Sequence, residues 1–152
     1  MTSQGPVITE EIRNRAIGTE SPPVTLEVEK GAIARFSEAI EDSNPLWTDE
    51  VAARRSRYGG IIATPTFLRN LRTERLELPF EEEFQRVLDG GSEWEYFEPV
   101  RAGDRITAIN RVTDVSERQG RLGPMIFVST VTTYTNQLDQ VVATQKSTLI
   151  RY

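Results

Sequence analysis

EVEKGAIARFSEAIEDSNPLW, residues 27–47, is the stretch from which the fold of this 152-residue chain is best argued. Ile33, Phe36 and Ile40 stand at positions i, i+3 and i+7 of this stretch. That spacing puts the three side chains on one face of an α-helix. We therefore predict an amphipathic helix over Lys30–Glu41 that packs against the rest of the domain.

The segments around this helix are predicted from prolines and from alternation of apolar and polar residues. Residues 1–23 are polar and end in Ser-Pro-Pro, which cannot continue a helix, so we expect a polar leader. VTLEVE at Val24–Glu29 alternates and predicts a half-buried strand. Pro45 prevents the helix from continuing, so a loop is expected over Asp42–Leu46. Residues 24–152 are expected to form a single domain.

Two further helices are predicted after this loop. The first has Thr48 or Asp49 as its N-cap and ends before Gly59. The second opens with Thr64-Pro65, a common helix start, and reaches Leu78, directly before another proline. These two helices complete the helical part of the chain.

The second half of the chain is rich in Val, Ile, Thr and aromatic residues, which favour strands. Four strands are predicted, over Gly91–Val100, Asp104–Ser116, Met125–Thr135 and Gln140–Arg151. The short turns between the last three predict an antiparallel meander. A strand, three helices and four strands in this order predict an α+β domain whose antiparallel sheet wraps around one principal helix.

The composition excludes several classes of function. With no Cys and no His, the chain lacks thiolates and the usual ligands of zinc, copper and haem, so we predict no metal and no cofactor. A net charge of −5 opposes binding to a phosphate backbone, and no nucleic-acid partner is expected. The longest apolar run, residues 59–63, is far shorter than the ~20 residues of a membrane span. The first residues have no secretory pattern, which predicts a cytoplasmic location without a membrane partner.

Four segments in the same order resemble the MaoC-like dehydratase and hydratase family, specifically its N-terminal, fatty-acid-synthase-type branch. They are the stretch quoted above, GGIIATPTF at Gly59–Phe67, EWEYFEPVRAGDRI at Glu93–Ile106 and VVATQKSTLIRY at Val141–Tyr152. Together they span nearly the whole predicted domain. The resemblance implies a hotdog fold and the reversible addition of water to the 2,3 double bond of an enoyl thioester, which gives the (R)-3-hydroxyacyl product.

The resemblance also implies roles for single residues. In that family a loop aspartate and a loop histidine activate the water, and the backbone at the start of the central helix polarises the thioester carbonyl. Asp42 matches the aspartate, and Asn44 matches the asparagine that shapes the loop. Trp47 stands where the histidine belongs, and its indole N–H cannot accept a proton at neutral pH. Pro65 stands where catalytic members tend to have Gly, and proline has no N–H to polarise a carbonyl.

This pattern resembles the accessory subunits of heteromeric hydratases. It implies a hotdog subunit of an (R)-specific enoyl-thioester hydratase, also named 3-hydroxyacyl-thioester dehydratase, that pairs with a His-bearing MaoC-like chain. Two alternatives stay open: a homo-oligomeric hydratase or thioesterase that uses Asp42 as its base, and a non-catalytic acyl-CoA-binding module. The partners expected are an acyl-CoA or acyl-carrier-protein thioester and a second hotdog chain, in a homodimer or a heterodimer.

The predicted site residues have structural readings as well. The predicted substrate contacts are Trp47, Gly60, Ile62, Ala63 and Thr64. The residues predicted to meet phosphates, or the acidic surface of an acyl carrier protein, are Arg54, Arg55 and Arg57. Asp42 is equally explained as a loop residue that bonds backbone amides, and the three arginines as a solvated helix face.

Overall fold

The computed structural model of the chain describes residues 6–80, 84–121 and 123–152. Its elements, in chain order, are α1 (Glu10–Ala16), β1 (Val24–Glu27), α2 (Lys30–Ala39), a first 3-10 helix (Pro45–Trp47), α3 (Glu50–Arg55), a second 3-10 helix (Pro65–Asn70), β2 (Val87–Tyr96), β3 (Arg105–Gly120), β4 (Gly123–Thr135) and β5 (Val141–Arg151). None of the helices among these residues has the length and apolar character that a membrane crossing requires.

The five strands form one antiparallel sheet in the order β1-β3-β4-β5-β2. The last three strands in the sequence are neighbours, so the predicted meander is confirmed. β2 runs antiparallel to β5 at the far edge of the sheet, with Trp94 opposite Gln145. It begins at Val87, earlier than the predicted Gly91.

Alternation along the strands gives the sheet one covered face, which we call the inner face. In β4 every second residue from Ile126 to Tyr134 is buried, including Thr130 and Thr132, while the residues that alternate with them are partly exposed. This period of two is that of a β-strand, because successive side chains of a strand point to opposite faces. The inner face supplies one wall of both hydrophobic clusters of the domain.

The first cluster joins the inner face to the helical half of the chain. Ile33 from α2 is fully buried, and the ring of Phe36 meets that of Phe67 edge-on at 5.7 Å. Phe67 and Leu68 of the second 3-10 helix pack into the same cluster. The predicted amphipathic helix is therefore confirmed for Ile33 and Phe36, but it ends at Ala39 rather than at residue 41, and Ile40, which was predicted on the packed face, is 45% exposed.

The second cluster includes a helix that the sequence prediction missed. α1 lies inside the predicted polar leader, and its Ala16 is fully buried in this cluster. The N–H of Gly18 donates to the carbonyl of Val112 at 2.9 Å. The N–H of Ser21 donates to the carbonyl of Asn110 at 2.8 Å. The described part of residues 1–23 is thus attached to β3.

The prediction of a helix from Thr64 to Leu78 is wrong beyond Asn70. Only a 3-10 helix forms, and residues 71–80 continue without helix across the second cluster. Leu76, Leu78 and Phe80 are buried at alternate positions, which is the period of extended chain. The proline after Leu78 also disfavours helix at that residue.

The short helix after the loop is predicted correctly at its start. The carboxylate of Asp49 accepts from the N–H groups of Val51 and Ala52 at 2.9 and 3.1 Å, so Asp49 is the N-cap of α3. This cap is the role that aspartate commonly has at such a position. α3 ends at Arg55, earlier than the predicted glycine pair.

Candidate functional site

The loop after α2 is held by its own polar side chains. Glu41 adopts the left-handed backbone conformation, with φ of 57°, and ends the helix. The carboxylate of Asp42 accepts from the N–H of Asn44 at 3.1 Å. The amide oxygen of Asn44 in turn accepts from the N–H of Leu46 at 3.0 Å. Asp42 and Asn44 therefore bond the loop backbone, and these turns direct the chain into the first 3-10 helix.

Trp47, at the end of that 3-10 helix, is turned into the domain and lines a cavity of about 350 Å³. We call it the Trp47 cavity. Its wall consists of Trp47, Arg57, Tyr58, Ile62, Ala63, Thr64, Pro65, Leu68, Tyr96, Phe97, Glu98, Pro99 and Val100. Asp42 is not among the described residues that line it. The wall is largely apolar, with polar groups at a few positions, as small-molecule sites usually are.

Backbone hydrogen bonds bring three distant segments together around this cavity. The N–H of Ile62 donates to the carbonyl of Leu46 at 3.3 Å. The N–H of Ala63 donates to the carbonyl of Val100 at 2.8 Å, and that of Ala102 to the carbonyl of Ile61 at 3.1 Å. As a result, four of the five predicted substrate contacts, Trp47, Ile62, Ala63 and Thr64, share one cavity. Their contact with a substrate stays a prediction.

The fifth predicted contact, Gly60, lies in a second depression of about 280 Å³. We call it the basic cleft, because three of its lining residues carry positive charge. The lining residues are Lys30, Glu50, Arg54, Gly59, Gly60, Ile61, Arg101 and Ala102. Lys30 Nζ lies 2.9 Å from Glu50 Oε1, and the hydrogen bond from Lys30 lowers the pKa of Glu50. The guanidinium of Arg101 donates to the carbonyl of Tyr58, a residue of the Trp47 cavity. The cleft therefore adjoins the cavity through the contact between Arg101 and Tyr58.

The three arginines predicted to meet phosphates occupy different places. Arg54 lines the basic cleft, whereas Arg57 lies at the Trp47 cavity. Arg57 stacks on the ring of Tyr58 at 4.8 Å from its centre and donates to its hydroxyl at 2.7 Å. Arg55 is not among the described residues that line either depression. The structure adds Lys30 and Arg101, which the sequence prediction did not single out because they are far from the arginine run.

An aromatic group on the inner face was also missed. The ring of Trp94 stacks on Tyr96 at 5.9 Å and on Tyr134 at 5.4 Å. The hydroxyl of Tyr134 donates to Gln145 Oε1 at 3.2 Å. The alternation of Trp94 and Tyr96 was visible in the sequence, but only the register of β4 and β5 places Tyr134 beside them.

Burial raises the pKa of Tyr134 to about 12, and the neighbouring Tyr96 adds to this rise. The neutral phenol is thus favoured by folding, since an unfolded tyrosine has a pKa of about 10. We expect this stabilisation to be complete below pH ~10 and to be lost as the pH rises toward ~12. The melting temperature of the wild type should therefore fall more steeply above pH ~10 than that of Tyr134→Phe, which has no phenol to ionise at this position. Melting curves between pH 8 and 11.5 and the absorbance of phenolate check this, and equal slopes for both proteins would contradict it.

The chain is similar over most of its length to a known family of proteins. Residues 15–145 match the family model described as "FAS1-like, dehydratase domain region". A UPF0336 protein from Saccharopolyspora erythraea is 34% identical over 140 residues, which cover 88% of this chain and 87% of that protein. A protein named "probable enoyl-CoA hydratase alpha subunit" from Thermomonospora curvata is 29% identical over 138 residues, 79% of this chain and 43% of that longer protein.

Solved structures share the fold. The MaoC-like dehydratase from Rhodospirillum rubrum superposes with a TM-score of 0.73 at 24% identity, over 90% of this chain and 92% of that one. The C-terminally truncated HadBC complex from Mycobacterium tuberculosis, a (3R)-hydroxyacyl-ACP dehydratase, also gives 0.73 at 24% identity, over 89% and 96% of the two chains. The resemblance seen in the sequence is confirmed. The chain belongs to the FAS1-like dehydratase domain region family and has the α+β hotdog fold of the MaoC-like dehydratases.

Proposed function

We propose that this chain is the accessory subunit of an (R)-specific enoyl-thioester hydratase, equally a 3-hydroxyacyl-thioester dehydratase, and acts with a His-bearing MaoC-like partner. The hydratase and dehydratase class follows from the family. We further propose an acyl-CoA or acyl-carrier-protein thioester as the substrate, and the cytoplasm as the location.

The observation that carries this proposal is the state of the loop. Adding water to a double bond needs a base that takes a proton from water. The carboxylate of Asp42 bonds the backbone of its own loop, and Trp47 fills the position of the missing histidine. An indole donates a hydrogen bond but cannot serve as the base. We therefore propose that the partner chain supplies the working proton acceptor and that this chain contributes the Trp47 cavity.

The free edge of β2 supports pairing with such a chain. β2 is the last strand of the sheet, and no strand of the described residues pairs with its outer edge. Apolar side chains along and just beyond this strand are exposed, namely Val87, Leu88, Tyr96 and Phe97. A long exposed edge with apolar residues is a template for another strand. HadBC, which has the same fold, is itself a complex of two different chains.

The basic cleft supports a thioester carrier that bears phosphate. Arg54 and Arg101 line it beside the Lys30–Glu50 ion pair, and it adjoins the Trp47 cavity through Tyr58 and Arg101. Guanidinium groups bind phosphate through paired hydrogen bonds. An acyl group in the cavity and the phosphate of a pantetheine carrier in the cleft would place the thioester between them.

The assembly is tested by the double variant Leu88→Lys/Phe97→Lys, which puts two charges at the β2 edge. Both side chains are exposed in one chain, so folding should be unaffected. We expect the wild type, alone or mixed with a His-bearing MaoC-like chain, to form a species of about twice the 17.2 kDa of one chain. The double variant should elute as the monomer, measured by light scattering after gel filtration.

Leu138→Lys is the matched control, because Leu138 is exposed in the turn between β4 and β5, outside β2. It should assemble as the wild type does. A wild type that stays monomeric both alone and with the partner would contradict the paired subunit.

A second candidate is a homo-oligomeric hotdog enzyme that uses its own carboxylate. Glu98 lines the Trp47 cavity, and this observation favours the candidate. It predicts hydration or thioester hydrolysis by the isolated chain, lost in Glu98→Gln or in Asp42→Asn. A non-catalytic acyl-CoA-binding module would instead bind thioesters without turnover in any pairing.

A further inference from the structure

Two buried polar atoms on residues that line the Trp47 cavity have no hydrogen-bond partner among the described residues. They are the indole nitrogen of Trp47 and the hydroxyl of Thr64. The two residues are 8% and 3% exposed, so neither atom is bonded to bulk water. Buried donors are normally paired, because an unpaired donor has lost its bonds to water without replacement. An unpaired pair beside one cavity indicates a missing ligand.

Neither the indole N–H of Trp47 nor the hydroxyl of Thr64 forms a hydrogen bond within its own turn. Other polar residues at the starts of nearby helices do form such capping bonds. Asn44 and Asp49 both cap the helices that they precede. Thr64 precedes the second 3-10 helix in the same way, yet its hydroxyl caps nothing. Its carbonyl accepts from the N–H of Phe67 at 3.0 Å, so the backbone alone forms that turn. The Thr64 hydroxyl is therefore left available inside the domain.

The chemistry of the two groups defines the ligand atom. An indole N–H can only donate, and a threonine hydroxyl donates equally well. Both residues line the same cavity, beside the apolar side chains of Ile62, Leu68 and Val100. An oxygen with two lone pairs on an otherwise apolar body satisfies both donors and this wall. A hydrocarbon chain would leave both donors unpaired.

We propose that the N–H of Trp47 and the hydroxyl of Thr64 both donate to the carbonyl oxygen of a bound acyl thioester. This inference rests on the proposed function, because that function supplies the thioester. The two side chains replace the backbone donor that Pro65 lacks. The chain then holds the thioester by its carbonyl, while the partner supplies the proton acceptor.

The test compares two ligands that differ only in this carbonyl. Butyryl-CoA has the oxygen, and the thioether S-butyl-CoA lacks it. Binding to the full chain, alone and in the complex, is measured by calorimetry for the wild type, Trp47→Phe and Thr64→Val. Each variant removes one donor and keeps the shape of the side chain. We expect each to bind butyryl-CoA about three- to tenfold more weakly and the thioether unchanged, as for the loss of one neutral hydrogen bond.

Thr64→Ser is the control, because it keeps the hydroxyl and should keep the preference for butyryl-CoA. The melting temperature of ligand-free Thr64→Val should equal or exceed that of the wild type, since an unpaired buried hydroxyl is replaced by a methyl group. A merely structural hydroxyl would give a lower melting temperature. Wild-type binding of butyryl-CoA that neither variant weakens would overturn the inference and leave the proposed function standing. Absence of thioester binding by the wild type in every assembly would overturn both.

Discussion

Purified alone, the chain should hydrate crotonyl-CoA at no more than about one thousandth of the rate of its complex with a His-bearing MaoC-like chain. The reason is that a positioned base raises the reaction rate roughly 10²–10⁴-fold. The described residues around the Trp47 cavity offer no imidazole, and the sequence contains none. The rate of hydration is measured as the decrease with time in the ultraviolet absorbance of the enoyl thioester.

The control for this prediction is Asp42→Asn inside the complex. The amide oxygen of asparagine can still accept from the N–H of Asn44, so the loop should keep its shape. If this chain is an accessory subunit, the rate of the complex should change by less than about threefold, because the working proton acceptor lies elsewhere. Turnover by the pure chain that Asp42→Asn abolishes would instead show a self-sufficient enzyme.

Leu68→Ala should lower the free energy of unfolding by about 2–5 kcal/mol, the range measured for leucines in cores. Leu68 is 1% exposed and joins the second 3-10 helix to the first cluster while it lines the Trp47 cavity. The loss combines the transfer of the removed methyl groups to water with the space that they leave. For a domain of this size the melting temperature should fall by roughly 4–20 °C.

Leu138→Ala makes the same chemical change at a residue that is 69% exposed. Its effect should stay within about 0.5 kcal/mol, as for most surface substitutions. Urea unfolding of the three proteins gives the comparison, with similar slopes against urea concentration and different midpoints. Equal midpoints for the two variants would show that the second 3-10 helix does not pack as described.

Elements with a local signal were predicted well. The spacing of Ile33 and Phe36 predicts α2, and Asp49 predicts the start of α3, because each signal lies within a few residues of the element it specifies. The richness of the second half in Val, Ile, Thr and aromatic residues, with the turns that interrupt it, predicts β3, β4 and β5 to within a few residues at their ends. α1 also begins at a residue type that is common at helix starts, because the side chain of Thr9 is its N-cap and accepts from the N–H of Ile12. The helix was not predicted because the segment as a whole is polar.

The segment after Asn70 shows where local pattern fails. Residues 71–78 contain good helix formers, and Arg and Leu recur there at short intervals. Burial of alternate residues against α1 and the sheet outweighs this preference, which amounts to less than ~1 kcal/mol per residue. A distant surface therefore decides the conformation of this segment.

The sequence by itself determined the α+β class, the family, and the absence of an imidazole, because these follow from composition, from local periodicity and from short ordered motifs. Only the tertiary structure decided that Lys30 and Arg101 share a cleft, and that Trp47 and Thr64, whose buried donors have no partner among the described residues, line one cavity. The physical reason is that these relations join residues far apart in the chain. Strand register and side-chain packing set such distances, and no local pattern encodes them.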